Sequence, residues 1–461
     1  MPDTVVTLAI ITAAVSLISL SFSPRAKTMD AFYRGHDATG ATPGVIALTF
    51  SQVTTWIFAR SIMNAAILGY FYGIAGTVAY AAYYLSFLTG ALIIDGIRFR
   101  HGHGSVQDFL RARFGRLGTR AYNVVVAVRL LSEVFANLLV VGILFGIVGT
   151  TSYTVAIVLI AALTLGYSML GGLSASLRTD VLQALILIGM LAVLLVNMTG
   201  LADFDPGAIF ASSPDLTSPG WMLLAVALLQ IWSYPLHDPV MMDRGFLADR
   251  RTTRLSFLHA CWISVVCILA FGLLGVFAGL HKLEGEAMVA ALTRLLGEPA
   301  MVLFNVALVI SAVSTLDSTF SSAAKLSIID MKLARARAAN GRIAMALFML
   351  GGLAFLFLGS KDLFAAVAVS GTASMFLAPV VIFSVWLDRD VAPWAFGIAF
   401  AAAMAGAALY FLETGGYVDL VGPLAGIAHK YTKLLVISAA VLAIGCGAFW
   451  VGLGPRRAAR S

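Results

Sequence analysis

The sequence predicts an all-α integral membrane protein built from two five-helix repeats of opposite orientation. Three observations predict it: 60% of the 461 residues are apolar, long apolar runs alternate with short basic loops, and polar stretches interrupt two of the runs. Charged residues make up only 11%, which is far below the share in soluble domains. The 43 glycines suit helices that pack closely or break inside a bilayer.

Runs of roughly 18 or more apolar residues predict about thirteen transmembrane helices. They fall near residues 4–22, 44–72, 74–97, 121–149, 153–170, 179–200, 219–238, 255–280, 299–330, 342–359, 362–386, 392–412 and 433–452. The first run has no basic start and no convincing cleavage site, so we expect a helix there and not a signal peptide.

The basic residues are distributed unevenly between the two sets of loops. One set holds 22 of the 30 Lys and Arg residues, and the opposite set holds five. The positive-inside rule therefore places the N-terminus outside and the C-terminus in the cytoplasm. Because the basic loops have no interleaved aromatic residues, the net charge of +7 does not indicate a nucleic-acid partner.

Polar stretches interrupt the second and the seventh runs. They read "TFSQVTTW" (49–56) and "QIWSYPLHDP" (230–239). If the first helix is accessory, each stretch opens a five-helix unit, and because five is odd the second unit is inverted. Paired broken helices in inverted repeats are typical of secondary transporters.

These features divide one transmembrane domain into four parts. They are an accessory helix and loop (1–43), the first repeat (44–200), the inverted second repeat (219–386), and two C-terminal helices with a short basic tail (387–461).

One face of the ninth predicted helix is rich in oxygen atoms. At about 100° per residue, seven polar side chains fall within an arc of about 160°. They are Ser311, Ser314, Thr315, Asp317, Ser318, Ser321 and Ser322. Such a face offers ligands to a hard cation such as Na⁺. Close helix packing by small residues is the alternative.

The first break is predicted to free backbone carbonyl groups near Phe50 and Val53. At membrane depth such groups persist only where a cavity or an ion satisfies them. A simple kink is the alternative, although no Gly or Pro lies there to explain it. Asp180 is predicted just inside a helix that begins after Arg178, at the same depth as Asp317. It could instead cap that helix.

Arg129 and Glu133 stand four residues apart on one helix face. Either the two charges neutralise each other, or the planar guanidinium group of Arg129 is free to bind a substrate carboxylate. Arg60 is a comparable cation within a predicted span, and the alternative for both arginines is that they face water-filled cavities. His237 is expected to belong to the second break.

No motif supports an enzyme. The three cysteines form no spacing pattern, and the chain has no phosphate-binding loop, no zinc spacing and no hydrolase triad. We therefore expect no catalytic residue, no organic cofactor, no nucleic acid and no obligatory protein partner, with the lipid bilayer and a small solute as the chain's partners.

Over roughly residues 40–390 the chain resembles the sodium:solute symporter family, which includes proline, sugar, pantothenate and sialic acid transporters. The resemblance lies in the order of "FSQVTTW", "SVQDFLRARFG", "GGLSASLRTDVLQ", "DPVMMDRGFLADR" and "AVSTLDSTFSSAA". It implies the fold of the leucine transporter LeuT.

The resemblance also implies cation sites. The first Na⁺ site would use backbone oxygens of Phe50, Val53 and Ser311 with the hydroxyls of Ser314 and Thr315. A second site, as in some relatives, would use Asp180, Ser314, Ser318 and residue 317. Here residue 317 is Asp where a hydroxyl is expected, which leaves Na⁺ or H⁺ open for that site.

In this fold the substrate lies between the broken helices and the third helix of the first repeat. The implied contacts are Ser51, Gln52, Thr54, Trp56, Arg129, Trp232 and Tyr234. Arg129 is similar to an arginine that meets the substrate carboxylate in acid-transporting relatives.

We therefore expect a multi-pass bacterial inner-membrane symporter that couples Na⁺ to a small organic solute bearing a carboxylate, such as an amino acid, an organic acid or a sialic acid, by alternating access. H⁺ coupling through Asp180 and Asp317 is the alternative. A ligand sensor with a transporter fold is a weaker alternative, because the chain ends nine residues after its last predicted span.

Overall fold

The computed structural model describes residues 2–37, 39–358 and 363–456, and these residues are nearly all helical. The helices of the first half are α1 (Pro2–Phe22), α2 (Met29–Arg34), α3 (Val45–Trp56), α4 (Ala59–Ala82), α5 (Ser86–Ile94), α6 (Val106–Phe145), α7 (Thr151–Gly171), α8 (Leu173–Thr199) and α9 (Pro206–Phe210). A 3-10 turn at Tyr83–Leu85 joins α4 to α5, and a π-helical segment at Asp95–Arg100 extends α5.

The second half has the helices α10 (Pro219–Gln230), α11 (Tyr234–His237), α12 (Pro239–Gly245), α13 (Arg250–Leu280), α14 (Met288–Leu296), α15 (Glu298–Lys325), α16 (Ala338–Leu358), α17 (Leu363–Ser374), α18 (Leu377–Pro379), α19 (Pro393–Thr414), α20 (Val421–Ala425) and α21 (Lys430–Val451). π-helical segments at Leu326–Asp330 and Val380–Trp386 extend α15 and α18. Two short strands, β1 (Arg389–Val391) and β2 (Leu453–Arg456), pair antiparallel beside the last helices.

Nine helices in the described part of the chain are long and apolar enough to cross a membrane. Shorter apolar helices occur at Val6–Phe22, Pro219–Gln230 and Leu377–Trp386, where the sequence also predicts spans. The all-α membrane architecture is therefore confirmed. The total of thirteen and the sides of the two termini stay predictions, and the boundary predicted at 359–362 lies outside the described residues.

Two glycines with positive φ change the direction of the chain inside α4 and α6, where the sequence predicts helix ends or loops. Gly73 (φ 57°, ψ −147°) separates the second and third predicted spans within α4. The predicted loop "SVQDFLRARFG" is instead the helical start of α6, because the Ser105 hydroxyl accepts a hydrogen bond from the Asp108 N–H and caps it. Gly115 (φ 64°, ψ −149°) then redirects the chain into the long part of α6.

The two halves share an order of elements. Each opens with a broken helix, α3 and α4 in the first half and α10 to α12 in the second. In each half a positive-φ glycine, Gly115 or Gly297, separates a short helical stretch from the third long helix. This correspondence supports two related five-helix units.

Helices α4 and α13 pack with their backbones in close contact. A methyl group at Gly275 would overlap the Ala66 carbonyl, and one at Gly279 would overlap the Tyr70 carbonyl. Small residues permit this approach, which is how membrane helices gain packing without a hydrophobic driving force. Helices α4 and α13 therefore form a closely packed pair that includes the second half of the first broken helix.

Candidate cation and solute site

The first broken helix is interrupted at Ile57 and Phe58. Helix α3 ends at Trp56, Phe58 is extended (ψ 164°), and α4 starts at Ala59. The break thus follows the predicted stretch 49–56, which is itself helical. Thr55 favours this helical conformation, because its hydroxyl donates to the Ser51 carbonyl one turn earlier at 2.6 Å, and it also lies 3.2 Å from the Ser318 hydroxyl of α15.

The carbonyl groups near the break have partners, contrary to the prediction that they are unpaired. The Phe50 carbonyl accepts a hydrogen bond from the Thr54 hydroxyl at 3.0 Å, and the Val53 carbonyl accepts one from the Ile57 N–H at 2.8 Å. A carbonyl oxygen has two lone pairs, so each still has capacity for a further contact.

The oxygen-rich face of α15 meets the end of α3. The Ser311 hydroxyl donates to the Ile57 carbonyl, and the Thr315 hydroxyl donates to the Thr54 carbonyl at 3.3 Å and to the Ser311 carbonyl at 2.9 Å. Hydroxyl groups and carbonyl oxygens of two distant segments therefore converge at the first break.

Asp180 lies at the centre of a ring of hydroxyl groups. Its carboxylate accepts hydrogen bonds from Ser51 at 2.6 Å, Ser314 at 2.7 Å, Ser176 at 3.2 Å and Ser318 at 3.4 Å. These serines come from α3, α8 and α15, and Asp180 is 0% exposed. We call Asp180 and these four serines the Asp180 cluster.

Asp180 does not cap a helix. Helix α8 begins at Leu173 and not after Arg178, so Asp180 lies about two turns inside it. The Gly172 backbone (φ 54°) makes this early start possible, since glycine tolerates the left-handed region.

Asp317 is buried beside the Asp180 cluster but has other partners. Its carboxylate accepts hydrogen bonds from Ser168 at 2.7 Å and Thr179 at 3.1 Å. It therefore faces α7 and α8, whereas Ser314 and Ser318 reach Asp180. The predicted second set is brought together in part.

Arg244 enters the Asp180 cluster, and the sequence reasoning missed it by assigning it to a cytoplasmic loop. It lies on α12 and is 0% exposed. Its guanidinium donates to Ser318 at 2.9 Å and to Ser51 at 3.2 Å. The dipeptide Asp238–Pro239 could have revealed this placement, because Asp before Pro signals a helix start and extends the span to Arg244.

Aromatic rings link the two broken helices. Trp56, at the end of α3, packs against Tyr234 of α11 with ring centroids 5.6 Å apart, and against Phe87 at 5.0 Å. The Trp56 indole N–H has no hydrogen-bond partner among the described residues, although it is buried. A donor in this position suits an oxygen-bearing solute.

The other predicted solute contacts are occupied elsewhere. Ser51 belongs to the Asp180 cluster, Gln52 donates to the Ser256 hydroxyl at 3.1 Å, and the Thr54 hydroxyl bonds back to its own helix. Trp232 is 38% exposed and packs against Trp386. The structure thus does not bring Trp232 into the contact between Trp56 and Tyr234, and its assignment as a solute contact stays a prediction.

Four buried charges form a network in which two positive charges balance two negative ones. Arg129 pairs with Glu133 and lies 3.3 Å from the Asp238 carboxylate, and Arg60 lies 3.3 Å from Glu133. The internal ion pair left open by the sequence is therefore present, and Asp238 is a further partner. The Nε atoms of Arg60 and Arg129 have no hydrogen-bond partner in the described part of the chain.

The family model described as "Sodium:solute symporter family" matches residues 38–205. A solved structure of a substrate-bound, outward-open Na⁺-coupled sialic acid symporter with a novel Na⁺ site superposes with a TM-score of 0.72, at 16% identity over 98% of both chains.

A second solved structure shares the fold less closely. It is a nucleobase-cation-symport-1 family transporter in a closed conformation with bromovinylhydantoin bound, with a TM-score of 0.59 at 16% identity. The match covers 94% of this chain and 95% of that one.

The chain has the LeuT-like fold of these two transporters, and part of it matches a symporter family. The family and both solved neighbours are transporters and not enzymes. The predicted resemblance to the sodium:solute symporter family is confirmed over residues 38–205, and the predicted LeuT-like fold is confirmed over nearly the whole chain.

Proposed function

We propose that this chain couples the entry of Na⁺ to the uptake of a small organic solute that bears a carboxylate, by alternating access. The observation that carries the proposal is the convergence of the Asp180 cluster with the end of α3 and the hydroxyl face of α15. Dehydrating an alkali ion requires several oxygen ligands at one place, and this arrangement supplies them.

The first Na⁺ site is proposed at the junction of α3 and α15. Backbone oxygens of Phe50, Val53 and Ser311, with the hydroxyls of Ser314 and Thr315, would be the ligands. The contact of Thr315 with the Thr54 carbonyl supports this location, because it brings the two ligand-bearing segments within hydrogen-bond distance.

A second cation position is proposed around Asp180, Ser318 and Asp317. The carboxylates would offset the charge of the entering ion in a region without bulk water. The two proposed cation positions share Ser314, so an ion bound in one position changes the affinity of the other position for its ion.

The solute is proposed to lie between the broken helices, next to Trp56 and Tyr234. Gln52 and Thr54 border this region on α3, and Arg129 faces it from α6. The unpartnered donors on Trp56, Arg60 and Arg129 support a ligand rich in acceptor oxygens, such as a carboxylate.

The driving forces are sufficient for accumulation. A tenfold Na⁺ gradient supplies ~1.4 kcal/mol, and a 100 mV potential adds ~2.3 kcal/mol per charge.

H⁺ coupling is a second candidate, favoured by Asp317. A carboxylate beside Asp180 and buried from water could hold a proton where relatives are expected to bind a metal ion. Among the described side chains, Asp317 has only the hydroxyls of Ser168 and Thr179 as hydrogen-bond partners. A hydroxyl group can bond to the ionised or to the protonated carboxyl group.

Uptake into proteoliposomes separates the two candidates. Radiolabelled amino acids, organic acids, sialic acid and sugars would be offered with an inward Na⁺ gradient, and again with K⁺ replacing Na⁺ at the same pH. We expect accumulation of a carboxylate-bearing solute only with Na⁺. Accumulation driven by a pH gradient without Na⁺ would replace Na⁺ coupling by H⁺ coupling.

We also propose that the chain resides in a bacterial inner membrane, as two inverted five-helix repeats in one domain. The shared order of elements in the two halves supports the repeats, and the basic loops support a cytoplasmic C-terminus.

A further inference from the structure

We infer that the segment after α1 and the start of α8 form a binding site for a phosphate group, carried by an anionic lipid of the surrounding membrane or by a free phosphate ion. The site is a cavity of about 460 Å³, which lies in the size range of small-ligand sites. None of the residues proposed to hold Na⁺ or the solute lines it. The inference is therefore independent of the coupling ion, and only its assignment to the cytoplasmic leaflet rests on the proposed orientation.

Three cations line this cavity. Arg25 and Lys27 follow the end of α1, and Arg178 lies in the second turn of α8. All three are exposed, and none of them forms an ion pair within the described part of the chain. Three positive charges thus converge on one cavity with their donor groups free for a ligand.

The negative charge in the cavity is smaller. Among the described lining residues, Asp37 is the only carboxylate, and it accepts hydrogen bonds from the Thr39 hydroxyl at 2.7 Å and the Ala41 N–H at 2.9 Å. His36 also lines the cavity. Without counting His36, the lining carries an excess of two positive charges, which attracts an anion.

The backbone that carries Arg25 and Lys27 is fixed against the turn between α7 and α8. The Ala26 N–H donates to the Leu170 carbonyl at 3.0 Å, and a methyl group at Gly171 would overlap the Pro24 carbonyl. The Thr28 hydroxyl then caps α2 by accepting from the Ala31 N–H at 3.1 Å. Because this segment is ordered before any ligand arrives, binding costs less conformational entropy.

The kinds of donor favour a phosphate group. A guanidinium group presents two parallel N–H groups that match two phosphate oxygens, and the Lys27 ammonium group adds a compact charge. Gly44, which also lines the cavity, starts α3 without a side-chain cap. The positive end of the α3 dipole therefore adds to the attraction of the three cations.

The surroundings of the cavity favour a lipid as the source of the phosphate. Phe22 at the end of α1 and Ile46 at the start of α3 are exposed, so apolar surface borders the cations. This combination suits a lipid whose acyl chains lie on the apolar surface while its head group enters the cavity. Basic pockets at the cytoplasmic ends of membrane helices bind anionic head groups in this manner.

Thermal unfolding of the purified full chain tests the site, because a ligand of the folded chain raises its unfolding temperature by mass action. The chain would be held in neutral detergent with phosphatidylcholine, and phosphatidylglycerol, inorganic phosphate or further phosphatidylcholine would be titrated in. We expect a saturable rise with phosphatidylglycerol and none with phosphatidylcholine, whose choline cation offsets its phosphate. A saturable rise with inorganic phosphate alone would assign the same site to the free ion.

Removal of the cations should weaken this effect. Arg25→Gln, Lys27→Gln and Arg178→Gln should each raise the half-saturating concentration of the stabilising ligand roughly 5-fold, and the triple variant should lose the saturable rise. Because all three side chains are exposed, the variants should fold. If the triple variant does not fold, the three single variants still decide.

A second triple variant controls for net charge. Arg111→Gln, Arg116→Gln and Arg120→Gln together remove three exposed cations from the first turns of α6, outside the cavity. This variant has the same net charge as the first triple variant and should keep the wild-type half-saturating concentration.

Two results would overturn the site. One is equal weakening in both triple variants, which would show diffuse attraction to the net charge of the chain. The other is a wild-type chain that neither phosphatidylglycerol nor inorganic phosphate stabilises. Neither result concerns Na⁺-driven uptake, and uptake that ignores Na⁺ would overturn the proposed function while leaving this site intact.

Discussion

At the scale of single residues, the partners of the hydroxyl groups distinguish an ion site from simple helix packing. Most of the polar residues on the face of α15 contact either the end of α3 or the Asp180 cluster. Thr319 is a neighbour outside that face, and its buried hydroxyl has no partner among the described residues. Residues of α15 that contact the proposed ion site can therefore be compared with Thr319 on the same helix.

Thr315→Ala should weaken Na⁺ binding. It removes a hydroxyl ligand worth about 1 to 1.4 kcal/mol, so the half-saturating Na⁺ concentration for uptake should rise roughly 5- to 10-fold. Thr319→Ala is the matched control and should leave that concentration unchanged. Equal Na⁺ dependence in both variants would count against the assignment of Thr315.

Arg129→Ala should abolish uptake of an acidic solute while Na⁺ still binds. It also leaves the buried Glu133 and Asp238 short of a cation, which should cost about 3 to 5 kcal/mol of stability. Arg129→Lys retains the charge but not the planar fork, so we expect a more stable protein that still fails in uptake. Solute uptake, Na⁺ binding and thermal unfolding measure the three effects, and normal uptake by Arg129→Ala would remove the carboxylate contact.

Residue identity alone could not locate Arg244. In the sequence it stands among basic residues that read as a loop, and only the start of α12 at Pro239 carries it into the protein. Arg129 and Glu133 are four residues apart and could be paired on paper, whereas Asp238 lies 109 positions from Arg129 and joins them through the fold.

At the scale of elements, the broken helices depend on the rigid pair α4 and α13. Their contact is made backbone to backbone at glycine positions, so no side chain is available to adjust. The first break can stay unwound because the polypeptide after it is anchored there.

Gly275→Ala should separate these two helices. The added methyl group would overlap the Ala66 carbonyl, and overpacking of this kind costs typically 1–3 kcal/mol. We expect a lower unfolding temperature and reduced uptake. Gly189→Ala on α8 is the control, because a methyl group there meets no described atom within 4 Å; an equal loss in both variants would show that the α4–α13 contact is not special.

The existence of the helices was largely predictable from the sequence, but some of their ends were not. The first break is displaced past 49–56 because Thr54 and Thr55 satisfy helix carbonyl groups locally. The loop around Phe109 is helical because Ser105 caps it. Apolar periodicity shows that a helix exists, whereas capping and back-bonding fix where it begins and ends.

At the scale of the whole molecule, the orientation in the bilayer decides which loops face the cytoplasm. The loop at 281–287 precedes α14 and α15, and the loop at 331–337 follows α15 and its π-helical end. A membrane-crossing α15 would place these loops on opposite sides, and the basic residues predict that the second one is inside.

Cysteine labelling should confirm this orientation. In a chain whose three cysteines are replaced by alanine, Glu284→Cys should react with a membrane-impermeant maleimide on intact cells, and Ala336→Cys should react only after the membrane is opened. Both positions are exposed, so access to the membrane side alone decides the result. The reverse pattern would invert the proposed topology.

The sequence by itself determined the membrane environment, the presence of two broken helices, the hydroxyl face of α15 and the acids at positions 180 and 317. Each of these follows from composition or from spacing along one stretch of chain, where neighbours in sequence are neighbours in space. Only the tertiary structure decided which oxygen atoms surround Asp180, that Arg244 joins them, that Arg129 is shared between two carboxylates, and that Trp232 turns outward. Those pairings join residues separated by up to 193 positions, and the free energy of a buried charge depends on the groups that the packed helices place around it.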